Sequence, residues 1–162
     1  MSIHEQSITL NDGTTTTMAT WAGHLLLVVN VASECGLTPQ YEGLQRLFDD
    51  YRERGLFIIG APCNQFNNQE PGTDAQVCAF ARERYGVDFP LLAKLDVNGE
   101  HEHPLYTELK KQPREDGHGG DIEWNFEKFL VDPEGVTIAR FAPTVDPEDD
   151  AVIAAIEANL PV

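Results

Sequence analysis

Three cysteines, Cys35, Cys63 and Cys78, carry most of the reactive chemistry in this chain. No two of them form the C-x-x-C pair that marks zinc binding, and an odd number cannot all pair within one chain. A reducing compartment with at least one working thiol fits this pattern. Cys35 stands apart by its context. It follows the apolar run LLLVVNV (25–31) and comes just before Thr38 and Pro39, which open a helical repeat of Tyr41, Leu44, Leu47, Phe48 and Tyr51.

A thiol between the carboxyl end of a strand and the amino end of a helix lies near the helix's positive pole and its unpaired N–H groups, which favour thiolate. A free cysteine has a pKa of about 8.5, so full ionisation at neutral pH raises the reactive fraction by roughly 30-fold. Nucleophilicity falls as the pKa falls, so the net gain is smaller. Fast chemistry on a leaving oxygen also needs donors aimed at the charge that develops there.

The elements that must position Cys35 can be read on either side of it. LLLVVNV is a β-branched and leucine run, as in a strand buried on both faces of a sheet. Thr38 reads as an N-cap and Pro39 as a first-turn residue of the following helix, which runs to Gly55. LFIIGAP (56–62) is a second buried strand, separated from the first by a crossover long enough for a parallel βαβ unit. Thr73 and Gln76 form a capping box for a helix ending near Tyr85. The pattern then predicts a strand at LLAKL (91–95), a turn over 96–99, a short helix at 105–111 and an exposed loop at 112–121. KFLVD, DPEG and VTIARF predict a hairpin, and a helix after Pro147 follows. This order predicts an α/β, thioredoxin-like fold with a central mixed sheet flanked by helices, built as a single domain over 1–162.

Three blocks, VNVASECGLTPQYEGL, APCNQFNNQEPG and WNFEKFLVD, resemble the signature segments of glutathione peroxidases, with further likeness in DFPLLAKLDVNG and HPLYTELKK. The bacterial, cysteine-containing members are the most similar. The resemblance implies a thiol-dependent peroxidase for hydrogen peroxide and organic or lipid hydroperoxides, working without metal, haem or flavin. It implies Cys35 as the peroxidatic residue and Gln69, Trp124 and Asn125 as its partners. Their amide and indole N–H groups are suitable donors to sulfur and peroxide oxygen. Thioredoxin or glutathione is the implied reductant. The alternative is a peroxide sensor that passes its oxidation to a partner protein by disulfide exchange. A C-x-x-C reductase is disfavoured because Thr38 stands where the second thiol belongs.

The chain departs from many cysteine-type relatives at Ala81, where they carry a resolving cysteine. Cys78, one helical turn earlier, is the candidate substitute, provided its helix moves or unwinds. Cys63, between a buried strand and a loop, reads as structural. Glu34 and Asn67 replace the lysine and glycine common in relatives, and a carboxylate at 34 disfavours thiolate if it lies close. The short 112–121 loop implies, by resemblance, a monomer or loose dimer with an open site.

Twenty-seven acidic side chains against eleven basic ones give a formal net charge of −16. Such a field repels nucleic acid and anionic membrane, and it lowers the local concentration of anionic glutathione, favouring a thioredoxin-type donor. The amino-terminal MSIHEQSITLNDG has neither a basic start nor an apolar run, and no stretch approaches the ~20 apolar residues of a membrane span, so a cytoplasmic location is expected. His101, Glu102 and His103 read as a solvated turn rather than a metal site, because adjacent residues rarely converge on one ion.

Overall fold

A computed structural model describes residues 2–161. Its centre is a four-stranded sheet of β3 (Leu25–Val31), β4 (Leu56–Pro62), β5 (Lys128–Val131) and β6 (Thr137–Phe141), ordered β4-β3-β5-β6. Before it lies a small antiparallel hairpin of β1 (Ser7–Thr9) and β2 (Thr15–Thr17). The helices are α1 (Gln40–Tyr51), α2 (Asp74–Tyr85), α3 (Pro104–Leu109) and α4 (Asp150–Asn159).

Strand β3 is central because all seven of its residues are buried, as its apolar run requires. It pairs in parallel with β4, from Leu25 opposite Leu56 to Val31 opposite Pro62, and antiparallel with β5. Alternation along β3 divides the core between the two faces of the sheet. Leu25, Leu27, Val29 and Val31 meet α1 and α4 through Tyr41, Leu44, Phe48, Val152 and Ile156. Leu26 and Val28 meet the amino-terminal segment and α3 through Ile8, Trp21, Leu105 and Tyr106. This is the thioredoxin-like α/β arrangement that the element order predicts.

The capping box of α2 is present: the Thr73 side chain accepts from Gln76 N, and the Gln76 side chain accepts from Thr73 N. The β5–β6 hairpin forms as predicted, with a bulge at Leu130/Val131. Two expectations need correction.

LLAKL is not a strand. Its N–H groups go to different neighbours: Leu92 to Gly60 O, Ala93 to Thr9 O and Leu95 to Pro62 O. The segment therefore covers the β4 edge through isolated bridges instead of laddering with one strand. Gly60 permits the approach, since a Cβ there would lie 2.5 Å from a Leu91 methyl.

Thr38 does not cap α1 either. The residue preceding the helix is Pro39, and the Thr38 hydroxyl is committed elsewhere, in the turn that holds Cys35.

Candidate active site

Between Val31 and Gln40 the chain closes a tight turn. The Thr38 hydroxyl accepts from Cys35 N at 2.9 Å and donates to Ala32 O at 2.8 Å, while Thr38 N donates to Cys35 O at 3.1 Å. Successive bonds from Gln40 N to Leu37 O and from Tyr41 N to Thr38 O lead this turn into α1. One N–H of this turn meets the thiol. Leu37 N donates to the Cys35 sulfur at 3.3 Å, and the residue is 7% exposed, at the rim of the α1-side core. This N–H is a fixed backbone donor at the sulfur.

Gln69 reaches this turn from the loop after β4. Its carbonyl accepts from Glu34 N at 2.9 Å, tying it to the residue before Cys35. Asn67 and Asn68 in this loop have φ of 57° and 52°, left-handed values that asparagine tolerates better than most residues. This accounts for Asn67 standing where glycine is common.

Asn125 is fully buried and donates through Nδ2 to Gln69 Oε1 at 3.1 Å. With its oxygen so engaged, the Gln69 amide keeps its NH2 as the free end. Trp124 is half-buried, borders both halves of the core and packs on Phe66 with ring centroids 5.6 Å apart. Cys35, Gln69 and Asn125 are thus linked through hydrogen bonds and the Glu34–Cys35 peptide. Trp124 joins them as the residue preceding Asn125.

The sequence reading missed what holds the 124–127 segment. Asn30, the lone polar residue of β3, is fully buried. It donates to Trp124 O at 3.1 Å, accepts from Phe126 N at its carbonyl at 2.7 Å, and accepts from Glu127 N at Oδ1 at 3.1 Å. Phe126 is held at φ 69°, a strained value for a bulky residue, with its ring edge-on to Tyr41 at 5.6 Å. Behind it, Glu127 and Arg140 form a fully buried ion pair, and Arg140 also donates to the carbonyls of Gln112, Gly120 and Asp121. The buried Lys128 ammonium donates to Pro143 O and Val145 O, and burial brings its pKa down to about 7. The asparagine interrupting LLLVVNV was the available signal for this scaffold.

The other two thiols differ from Cys35. Cys63 is 1% exposed, lies in the α3-side core and has its pKa raised to about 11 by burial. Cys78 is half-buried on α2, packs at the edge of the core cluster that contains Cys35, and lines a cleft of about 230 Å³ with Trp21, Arg82 and Phe89. All three cysteines are free, and no hydrogen bond joins Cys78 to Cys35. Among the described residues no cluster of His, Cys, Asp or Glu could hold a metal ion. His103 instead caps α3, accepting from Leu105 N, while Glu102 pairs with Lys110. No helix among the described residues is long and apolar enough to cross a membrane.

A thioredoxin-like sheet with a buried free thiol just beyond the end of its central strand, tied through the Glu34–Gln69 hydrogen bond to the loop that carries the Gln69–Asn125 pair, fits the class of thiol-dependent peroxidases. The chain belongs to the glutathione peroxidase family, whose model matches residues 3–110. It is 49% identical over 154 residues to the hydroperoxy fatty acid reductase Gpx2 of Synechocystis, covering 95% of this chain and 96% of that one. It is 44% identical to the thioredoxin/glutathione peroxidase BtuE of Escherichia coli, covering 92% of each. The crystal structure of GPX1 from T. cruzi superposes with a TM-score of 0.75 at 36% identity, covering 99% of this chain and 95% of that one.

Proposed function

We propose that the protein reduces hydroperoxides at Cys35, with Gln69, Trp124 and Asn125 as activating donors. The observation that carries this reading is the Cys35 sulfur receiving Leu37 N–H in a turn that is bonded through Glu34 N to Gln69, whose side chain is held by Asn125 with its NH2 left over. The thiolate attacks one peroxide oxygen, so an S–O bond forms as the O–O bond breaks. The departing oxygen takes the bond's electron pair and a proton and leaves as alcohol or water. Cys35 is left as sulfenic acid, oxidised by two electrons. Donors positioned before the reaction stabilise the charge on the departing oxygen. The names of the Synechocystis and Escherichia coli relatives support organic hydroperoxides as substrates and both thiol donors as reductants.

A thiol then attacks the sulfenic sulfur, forming a disulfide and releasing water. In this reading Cys78 supplies that thiol, and a thioredoxin-type dithiol, favoured over anionic glutathione by the net charge of −16, reduces the disulfide. Cys78 must travel with α2, which buries only Val77 and Ala81 of its twelve residues and is thus suited to local unwinding.

The test is peroxide consumption by wild type and Cys78→Ser, driven by thioredoxin with its reductase or by glutathione with its reductase. The expected result is thioredoxin-driven turnover that the substitution abolishes. Glutathione-driven turnover indifferent to the substitution would make this a one-cysteine peroxidase and Cys78 a packing residue.

A further inference from the structure

Glu70 takes no part in the reaction just described, yet it is fully buried beside the turn that carries Cys35. Its Oε1 accepts from both Ser33 N, at 2.9 Å, and Ser33 Oγ, at 2.5 Å. Its own N–H donates to Asn64 Oδ1 at 2.9 Å. One residue earlier, Gln69 O accepts from Glu34 N. Two consecutive residues of one loop therefore grip two consecutive N–H groups of the other, immediately before the thiol. Glu70 Oε2 is buried with no partner. A buried carboxylate with one oxygen unpartnered is a poor way merely to tie down a loop, because an amide could accept from Ser33 without a buried charge.

The geometry assigns Glu70 as a positioning residue for the Cys35 turn: its carboxylate holds Ser33 while Gln69 holds Glu34, and together they set the Cys35 sulfur against the Gln69–Asn125 amide pair. The assignment rests on Cys35 being the peroxidatic thiol. The loss of one contact would let the turn slide against the loop, so the sulfur would stay open to simple alkylation but lose alignment with the donors.

The grip depends on charge, since an ionised acceptor forms the stronger hydrogen bonds. Burial raises the Glu70 pKa to about 7, against the Ser33 bonds and Lys94, which lower it, and with Glu34, which raises it further. From α1 and the end of β4, Tyr41 and Cys63 also sense its charge. The grip is therefore strongest above pH 7 and slackens as the pH falls through that value. Stability runs the opposite way. A carboxyl with a raised folded-state pKa contributes stability that is fully present below 4.5 and is lost as the pH rises through about 7.

The experiment compares wild type, Glu70→Gln and Ser33→Ala across pH 5.5 to 8.5. Two rates at Cys35 are read: oxidation by hydrogen peroxide, which needs the donors, and alkylation by iodoacetamide, which needs only the thiolate. In wild type the ratio of oxidation to alkylation should rise through an inflection near pH 7. In Glu70→Gln the ratio should stay at the low-pH level throughout, while alkylation is preserved and thermal stability at pH 8 is equal to or above wild type. Ser33→Ala, which removes the hydroxyl contact but not the N–H, should lower the ratio part-way. A wild-type ratio and profile in Glu70→Gln would overturn the assignment, as would parallel loss of oxidation and alkylation. Failure of the underlying reading looks different, since wild type would then show no peroxide oxidation at Cys35 at any pH.

Discussion

Cys35 and Cys63 both follow the ends of neighbouring parallel strands, since Val31 and Pro62 stand opposite each other in register. Both are buried. They lie, however, in the cores on opposite faces of the sheet. The chain after Cys35 turns into a helix, and Leu37 N–H meets its sulfur. Cys63 leads into a loop, and its thiol donates weakly to Gln65 Oε1 at 3.5 Å, a contact that keeps the proton. Burial is thus common to the candidate peroxidatic thiol and to one that burial holds neutral. At Cys63 burial outweighs the backbone N–H contacts of Gln65 and Val97, which pull the other way; what sets Cys35 apart is the helix-entering turn and the segments tied to it.

The sharpest break in that comparison is substitution of each thiol. Cys35→Ser should abolish peroxide turnover, whereas Cys63→Ser, which keeps a donor for Gln65, should leave it at wild-type level; a coupled consumption assay on both variants measures this. If the segments tied to that turn set the two apart, removing one of their donors should move Cys35 part of the way toward inertness. Asn125→Ala is expected to slow Cys35 oxidation by about 10²-fold, the usual effect of one lost oxyanion donor. Stopped-flow fluorescence of the single oxidation step reads that change, and a rate within experimental scatter of wild type would refute it.

The smallest effect concerns Cys63 and pH. Its raised pKa means that its contribution to stability is fully present below 9.0 and is lost as the pH rises through about 11. Cys63→Ala should remove roughly 2 kcal/mol of alkaline destabilisation across that window. Urea unfolding at several alkaline pH values would reveal it as a flatter slope in the variant.

Much of this was legible in the sequence because local signals agreed with the tertiary demand. LLLVVNV, the Thr73–Gln76 box and the DPEG turn each specify one conformation, and the three signature blocks carry the candidate site residues. The LLAKL segment misled because its apolar pattern fits a strand, while its hydrogen bonds are shared between two partners that only the folded chain brings together. Thr38 misled because a hydroxyl before a proline suits a cap and a turn equally well. The supports beneath Trp124 and Asn125 were illegible for another reason. Asn30, Glu127 and Arg140 are polar groups fully paired across long sequence separations, and no local spacing announces such pairs. Glu70 was hidden in the same way, since its partner Ser33 sits on the other side of α1 and β4 in the chain.

The Thr38 hydroxyl also decides where electrons can enter. By satisfying Cys35 N and Ala32 O at once, it fills with oxygen the position from which a C-x-x-C turn would present a second sulfur. The turn can lose two electrons but holds nothing with which to replace them. In the proposed reaction every cycle at Cys35 must therefore be completed by a thiol brought from elsewhere, so the identity of the reductant is a question of access rather than of the turn's own chemistry.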